Sequence, residues 1–385
     1  MITKNFESEL EQMDRSNERI TALNNFFSTA QTDRIHGLGI KTSVSFADLE
    51  KVDVSLDNGF ELNFDSKDVV VLRGKDIFES GLVGIDKISA LLKEFEFKEK
   101  IDYLHFALSS LTLVYIKEDS KIDFFEVERI LKKNSFSHII FYFGKNSFAN
   151  ILYSVKGLGE EFVGTDYLTL IIEDNCRVSF SALKDLPENF YVHAKNKNLV
   201  GKDSDLHFVT ADFGGKLIVN ETLSLLKGQG SNANTDNIFY GRKKEQFDVS
   251  GSSVHANENT SSLLSLKGVL EESKAVTRGL VQICDNAPES NGYQKSDIML
   301  LDDKSHAVSI PDLLIHNDQV KCSHGSTISH LEEDKVFYLQ SRGLSILDAQ
   351  RKLVEGFFFP IISSIKSDQV KEIIIKKIEA RIYEL

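Results

Sequence analysis

A cysteine and a histidine stand two residues apart in Lys321-Cys322-Ser323-His324-Gly325, just before an amphipathic stretch. On a β-strand, alternate side chains share a face, so Cys322 and His324 point the same way. A thiolate and an imidazole on one face can hold a metal ion edge-on. Alternatively, the imidazole can take the thiol's proton and make a nucleophile. The structural alternative is a buried cysteine beside a hydrogen-bonded histidine, and the residues alone leave all three readings open. Two ligands do not close a metal site: zinc usually takes three or four protein ligands, and iron–sulfur clusters usually take four thiolates. The other cysteines, Cys176 and Cys284, are distant and complete no CxxC pattern or disulfide framework. A site here therefore needs ligands from a second chain.

Other motifs are weaker. Gly228-Gln229-Gly230-Ser231-Asn232-Ala233 has the GxGxxA spacing of a dinucleotide loop. The following Asn-Thr-Asp-Asn-Ile-Phe-Tyr-Gly is not helical, whereas that loop must open a helix, so a simple turn is expected. There is no GxxxxGK[ST] phosphate loop. His255 lies among hydroxyls and amides without a GxSxG elbow, which favours a polar ladder over a triad. Gly343 between two apolar helical patterns has the look of a helix-turn-helix, but its second helix offers only Arg351 and Lys352 beside several acids. Packing or partner docking is favoured there.

The elements around these residues follow from periodicity. Phe6, Leu10, Met13, Ile20, Leu23 and Phe27 recur at helical spacing, and residues 85–97 read as a second helix. From about Leu111 short β-favouring runs follow one another, separated by Gly, Asn, Asp and Ser. No helical pattern interrupts residues 199–321. Hairpin sandwiches use Asn-Gly and Asp-Gly turns, yet Asn291-Gly292 is the only such dipeptide in this region. Single Gly, Asn or Asp turns suit the stacked rungs of a β-helix, although the period is imperfect. Helical spacing returns after His324. Ser329 to Glu332 fits a capping box for a helix running to Arg342, with Gly343 as its stop. Ser345 and Asp348 open another helix, expected to end at Pro360, and residues 368–385 form a third.

A chain of 385 residues with 41% hydrophobic content is long enough for several domains and large cores. A formal charge of −13 argues against general binding to nucleic acid or acidic membranes. No apolar run approaches the roughly 20 residues of a membrane span. The acid-rich start lacks the features of a secretory or transit peptide, so a cytoplasmic location is expected.

Several blocks together resemble the SufB/SufD family of iron–sulfur cluster assembly proteins. They are residues 261–272 (SSLLSLKGVLEE), Tyr293 to Asp297 with the following MLL, residues 321–343, and residues 348–358 (DAQRKLVEGFF). Weaker likeness extends through residues 212–220 and 101–110. The resemblance implies a mainly β protein: a right-handed parallel β-helix at 108–326, between an N-terminal helical or mixed domain at 1–107 and C-terminal helices at 327–385. It also implies a noncatalytic scaffold in a complex of SufB, SufD and the ATPase SufC, contributing to iron acquisition.

Within that family, the essential SufB cysteine falls at Ser296 here, and Glu-His-Glu is replaced by Ser323-His324-Gly325. SufB chains also tend to be longer, and these departures favour the SufD branch. The resemblance implies that His324 holds iron or a nascent cluster at the SufB interface, with Cys322 beside it, and that the isolated chain binds no cluster stably. SufC would dock on the C-terminal helices, through Phe337, Tyr338, Arg342, Gly343, Gln350, Leu353 and Phe357. A homodimer in isolation is left open; no nucleic acid or membrane partner is expected. The competing reading is a polysaccharide-acting β-helix enzyme, which needs converging carboxylates on one face.

Overall fold

A computed structural model describes Met13 and residues 15–29, 54–55, 59–62 and 66–383. In chain order the elements are α1 (Ser16–Ser28), β1 (Val54–Ser55), β2 (Phe60–Leu62), β3 (Val69–Arg73), α2 (Lys75–Glu79), α3 (Ile85–Lys93) and α4 (Lys100–Leu108). Sixteen strands follow without a helix: β4 (Ser110–Ile116), β5 (Lys121–Leu131), β6 (Asn134–Phe143), β7 (Phe148–Gly157), β8 (Phe162–Ile172), β9 (Arg177–Leu186), β10 (Phe190–Val200) and β11 (Asp205–Gly214) make the first half. The second half is β12 (Leu217–Leu226), β13 (Asn232–Gly241), β14 (Gln246–His255), β15 (Ser261–Leu270), β16 (Lys274–Ile283), β17 (Asn291–Leu300), β18 (His306–Ile315) and β19 (Lys321–His330). Helices α5 (Glu333–Ser341), α6 (Ile346–Ser364) and α7 (Asp368–Tyr383) complete the described chain.

Each strand from β4 onward pairs in parallel with the strand two places on, so even and odd strands build two separate sheets. Two strands make one coil, and β4 to β19 make eight coils of a parallel β-helix. The coil length varies from 26 residues (Tyr191 to Leu217) to 32 (Lys274 to His306). That variation lies in the turns and blurs the period in the sequence. One turn of successive coils repeats a left-handed residue: Asp119, Asn146, Asn175, Asp203, Gly230, Asn259 and Glu289 all have positive φ. Asn, Asp and Gly tolerate this conformation best, which is why they punctuate the strands. Side chains ladder there too, with Asn146 Nδ2 donating to Asp119 and Asn175 Nδ2 to Asn146. Gly230 is one of these corners, so the GxGxxA stretch is a turn, as expected.

The space between the sheets holds an aromatic and aliphatic core. Phe141 meets Phe180 edge-on and Phe180 stacks on Phe208, with ring centroids 4.9 and 5.8 Å apart. Buried polar groups interrupt this core, and several pair within or between the sheets. Arg129 and Tyr153 donate to Asp166, and Lys184 pairs with Asp212 at 3.1 Å, both 1% exposed. Asn220 donates to Asp212 and accepts from Asn196.

Helices cover the outer faces. Leu23 and Phe26 of α1 pack with Leu104 and Leu108 of α4 against Phe136 and Val163 of the even sheet. Phe358, Ile361 and Ile362 of α6 and Ile374 and Ile378 of α7 pack on Val209, Ala211 and Ile238 of the odd sheet. Near the start, β2 and β3 pair antiparallel with β5 and β4.

Several local expectations are corrected. Phe6 and Leu10 of the first apolar stripe lie outside the described residues. Of the two adjacent phenylalanines of α1, Phe26 is buried and Phe27 is exposed. The helix expected over residues 85–97 ends at Lys93. Ser329 and His330 form no capping box: they remain in β19, paired with Met299 and Leu300. The ladder carries the strand past the capping pattern, and α5 starts at Glu333 without a side-chain cap. Pro360 does not end its helix, because α6 continues to Ser364. A proline inside a helix costs about 3 kcal/mol. Burying Phe358, Ile361 and Ile362, each contributing about 1.5–3 kcal/mol, offsets it. Ser345 does cap α6, accepting from the Asp348 amide.

Three buried histidines make stability depend on pH. Burial lowers His138 and His255 to about 4 and takes His105 well below the ordinary 6.5. The unfolded chain takes up these protons below pH 6.5 and the folded chain does not, so stability is present above 6.5 and falls from there toward pH 4. Each histidine contributes a slope of roughly 1.4 kcal/mol per pH unit in that window. Urea midpoints measured at pH 7.5, 6 and 5 are expected to fall steadily, and His255→Asn to reduce the slope by about one proton. A flat profile in that window would show that these rings are not buried and neutral.

Candidate functional site

The two ends of the β-helix are finished differently. Antiparallel strands border the first coil, but among the described residues β18 and β19 are the outermost strands of their sheets at the other end. Side chains that point between the sheets run in columns set by the register. Ser262, Gly292 and Cys322 form one column, Leu264, Gln294 and His324 the next, and Leu266, Ser296 and Ser326 a third. Burial changes abruptly along each. Gln294 and Ser296 are 2% and 6% exposed, whereas His324 and Ser326, one coil later, are open to solvent. Cys322 and His324 therefore do share the inward face, at the place where a further coil would lie.

Hydroxyls cross this terminal coil from sheet to sheet. Thr277 bonds to Ser296 at 3.1 Å, Ser309 to Ser296 at 3.0 Å, and Ser326 to Ser309 at 2.9 Å. Gln294 donates to the Asp312 carbonyl at 3.0 Å, while its own Oε1 is buried without a partner. Cys322 rests against Val281, Ile283 and Ala287. It sits beside Gly292, where an added Cβ would lie 3.5 Å from its Sγ and 2.5 Å from Val281. The rim carries exposed apolar residues, Ile310, Leu314 and Ile315 on β18 and Ile328 on β19.

Burial argues against a thiol activated within the chain. Burial raises the Cys322 thiol, with no lowering contribution from an imidazole. Reactive thiolates need the opposite shift. Cys284 is raised by burial and further by Asp285, and Cys176 is fully buried. His255 is hydrogen-bonded through Nδ1 to Thr260 and through Nε2 to Ser262, a polar network inside the fold.

The residues expected to dock a partner lie along α5 and α6. Phe337 and Tyr338 are 73% and 56% exposed, and Arg342 stacks over the Tyr338 ring at 5.3 Å. Gly343 turns the chain with φ 96°. Gln350 and Leu353 are half-buried. Phe357 faces the β-helix instead, under the Lys267 ammonium at 4.3 Å. Ile346, Leu347 and Phe359 add exposed apolar surface that the spacing did not single out.

A groove of about 650 Å³ lies on the outer face of the odd sheet, beside the turn between α6 and α7. It contains His207, Asp236 and Ser364, which the sequence pattern did not flag. Asp236 and Ser364 both approach the same nitrogen, His207 Nε2, at 2.8 and 3.5 Å. A catalytic relay needs the acid and the nucleophile on opposite ring nitrogens, so this is no triad. The groove's other carboxylate, Asp297, lies 3.2 Å from Lys267 and 3.0 Å from Lys295. Neither carboxylate is free to act as a sugar-cleaving acid or base.

The profile of the SUF system FeS cluster assembly SufBD core domain matches residues 109–357, most of the chain. This chain belongs to that family. The match runs from the first coil into α6 and includes Cys322, His324 and all the expected docking residues. The chain is also similar to iron–sulfur cluster assembly SufBD family proteins of Staphylococcus saprophyticus and Staphylococcus aureus, each 26% identical over 204 residues. Those matches cover 53% of this chain and 44% of each relative, so the chain is matched to less than half of their length. The family assigns a role in the SUF system of iron–sulfur assembly, in keeping with the β-helix. Among the described residues no helix is long and apolar enough to cross a membrane.

Thiol chemistry provides a direct check of the terminal coil. Cys322 is expected to react with iodoacetamide at pH 8 more slowly than a free cysteine, and His324→Ala to leave that rate within about twofold. A Cys322 that reacts faster than free cysteine, and slows when His324 is removed, would restore the nucleophile–base reading.

Proposed function

We propose that this chain is a SufD-type scaffold subunit, whose terminal coil joins that of a SufB-type partner around iron or a nascent cluster. The observation that carries this reading is the unfinished end of the β-helix. Unpaired parallel strand edges favour the addition of another strand, and the inward pair Cys322–His324 stays exposed until another coil covers it. The second chain then supplies both the missing burial and the missing ligands. Neutral imidazole suits iron as a borderline ligand. A serine at position 296 in place of a cysteine supports the SufD assignment. In this reading the isolated chain holds no stable cluster, is not an enzyme and works in the cytoplasm. The same edges can pair two copies of this chain when SufB is missing.

The exposed face of α5 and α6 is the dock for a SufC-type ATPase. Phe337 and Tyr338 offer aromatic anchors of the kind that dominate interfaces. Deleting the whole C-terminal segment would uncover the odd sheet, so single substitutions are the better probe.

His324→Ala and Phe337→Asp separate the two surfaces. His324 is exposed, so alanine is expected to change stability by no more than about 0.5 kcal/mol. The His324→Ala complex should copurify with SufB and SufC yet lose most of its iron and sulfide after anaerobic assembly. Phe337→Asp should fold, keep SufB and lose SufC. A His324→Ala complex with full cluster content would return His324 to a structural role. Retention of SufC by Phe337→Asp would move the dock elsewhere.

A further inference from the structure

A second group of ligating side chains lies far from the terminal coil, where α4 meets the outer face of the even sheet. Glu99 precedes α4 as its N-cap, and its side chain accepts the Asp102 amide. His193 is on β10 and Glu221 on β12. Their ligand atoms all lie within 4.8 Å of one another. They are 94 and 28 positions apart in the chain, so no local motif announces them.

His193 is the telling member. Its side chain is 6% exposed, and Nε2 is buried without a hydrogen-bond partner. That nitrogen faces Glu221 Oε1 at 3.4 Å, and Nδ1 faces Glu99 Oε2 at 3.9 Å. A buried polar nitrogen left unmatched is destabilising, and a cation between it and the carboxylates would match it. Local charge agrees. Glu96, Glu99, Asp102 and Glu221 face Lys98 and Lys195, so the acids outnumber these bases by two. Asp102 is already occupied by the Tyr167 hydroxyl, by Lys195 and by the Lys98 and Glu99 amides. It is therefore not a further ligand. Lys195 also lies 3.9 Å from Glu221 Oε2, where it competes with a metal for that carboxylate.

We propose that Glu99, His193 and Glu221 form a binding site for a first-row divalent transition metal ion, with His193 Nε2 as the nitrogen ligand. One imidazole and two carboxylates suit this class. Bond lengths near 2.1 Å place adjacent ligand atoms about 3 Å apart. The two glutamate side chains are 26% and 28% exposed, and rotation of each would bring its carboxylate inward, while His193 is held on its strand. Their partial exposure leaves room for water in the remaining positions. The site is distinct from the Cys322–His324 end: β10 lies four strands from β18, roughly 19 Å along the stack.

Cobalt(II) is the probe, titrated into the full chain and followed by visible absorption and calorimetry. One equivalent is expected to bind with ligand-field bands and no thiolate charge-transfer band. His193→Gln and Glu221→Gln should each weaken binding about tenfold or more, whereas Lys195→Met should tighten it by freeing Glu221. Cys322→Ser and His324→Ala should leave this event unchanged. Thermal unfolding of every variant identifies any that fail to fold, and the opposite sign expected for Lys195→Met keeps the test decisive if His193→Gln is one of them. Absence of saturable binding, binding indifferent to both ligand substitutions, or binding lost with Cys322→Ser would overturn the proposal. Glu99, His193 and Glu221 would then be an internal ion-pair bridge only.

Discussion

Every other feature of this protein depends on the in-register parallel ladder between successive coils. Each strand hydrogen-bonds to the strand one coil before and one coil after it, so backbone groups in the middle of the stack are satisfied on both sides. The ladder fixes columns, and the columns decide which side chains meet. Residues separated by 26 to 32 positions become neighbours at strand spacing. The variable turns absorb the differences in length, with left-handed residues stacked at one corner.

The same constraint explains why polar groups survive between the sheets. A column position is inward whatever residue fills it, so Lys184, Asp212, Asn220 and Asn196 are buried by register. They are tolerated because they satisfy one another, Lys184–Asp212 and Asn196–Asn220 within a sheet and Asn220–Asp212 between the sheets. Single removal of a member of such a buried pair is the costly change, since it leaves the other charge alone. The helices solve a second problem. Two sheets with apolar outer faces would be sticky, and α1, α4, α6 and α7 cover large parts of them.

A ladder has ends, and the last coil differs from those inside the stack. The last coil presents unpaired edges, an apolar rim and inward side chains that only another coil can bury. In the proposed scaffold, Cys322 and His324 are half of an environment. The raised thiol and the exposed imidazole are both consistent with groups whose surroundings are completed by a partner. Family membership links the chain to the SUF system, and the exposed aromatic surface of α5 and α6 lies within the matched region.

The sequence by itself determined the strand-rich centre, the flanking helices, the Asn, Asp and Gly corners and the shared face of Cys322 and His324. These are local properties: alternation, turn conformations and spacing of two residues along one strand. It misplaced the start of α5 and the end of α6, because ladder pairing and burial on the odd sheet outweighed the capping pattern and Pro360. Tertiary structure alone decided the exact register. Through it, Gln294 is placed under His324, and Glu99, His193 and Glu221 gather from positions far apart. Coil length varies with the turns, so no fixed period in the sequence reveals which residues stack, and contacts between coils exist only once the chain is wound.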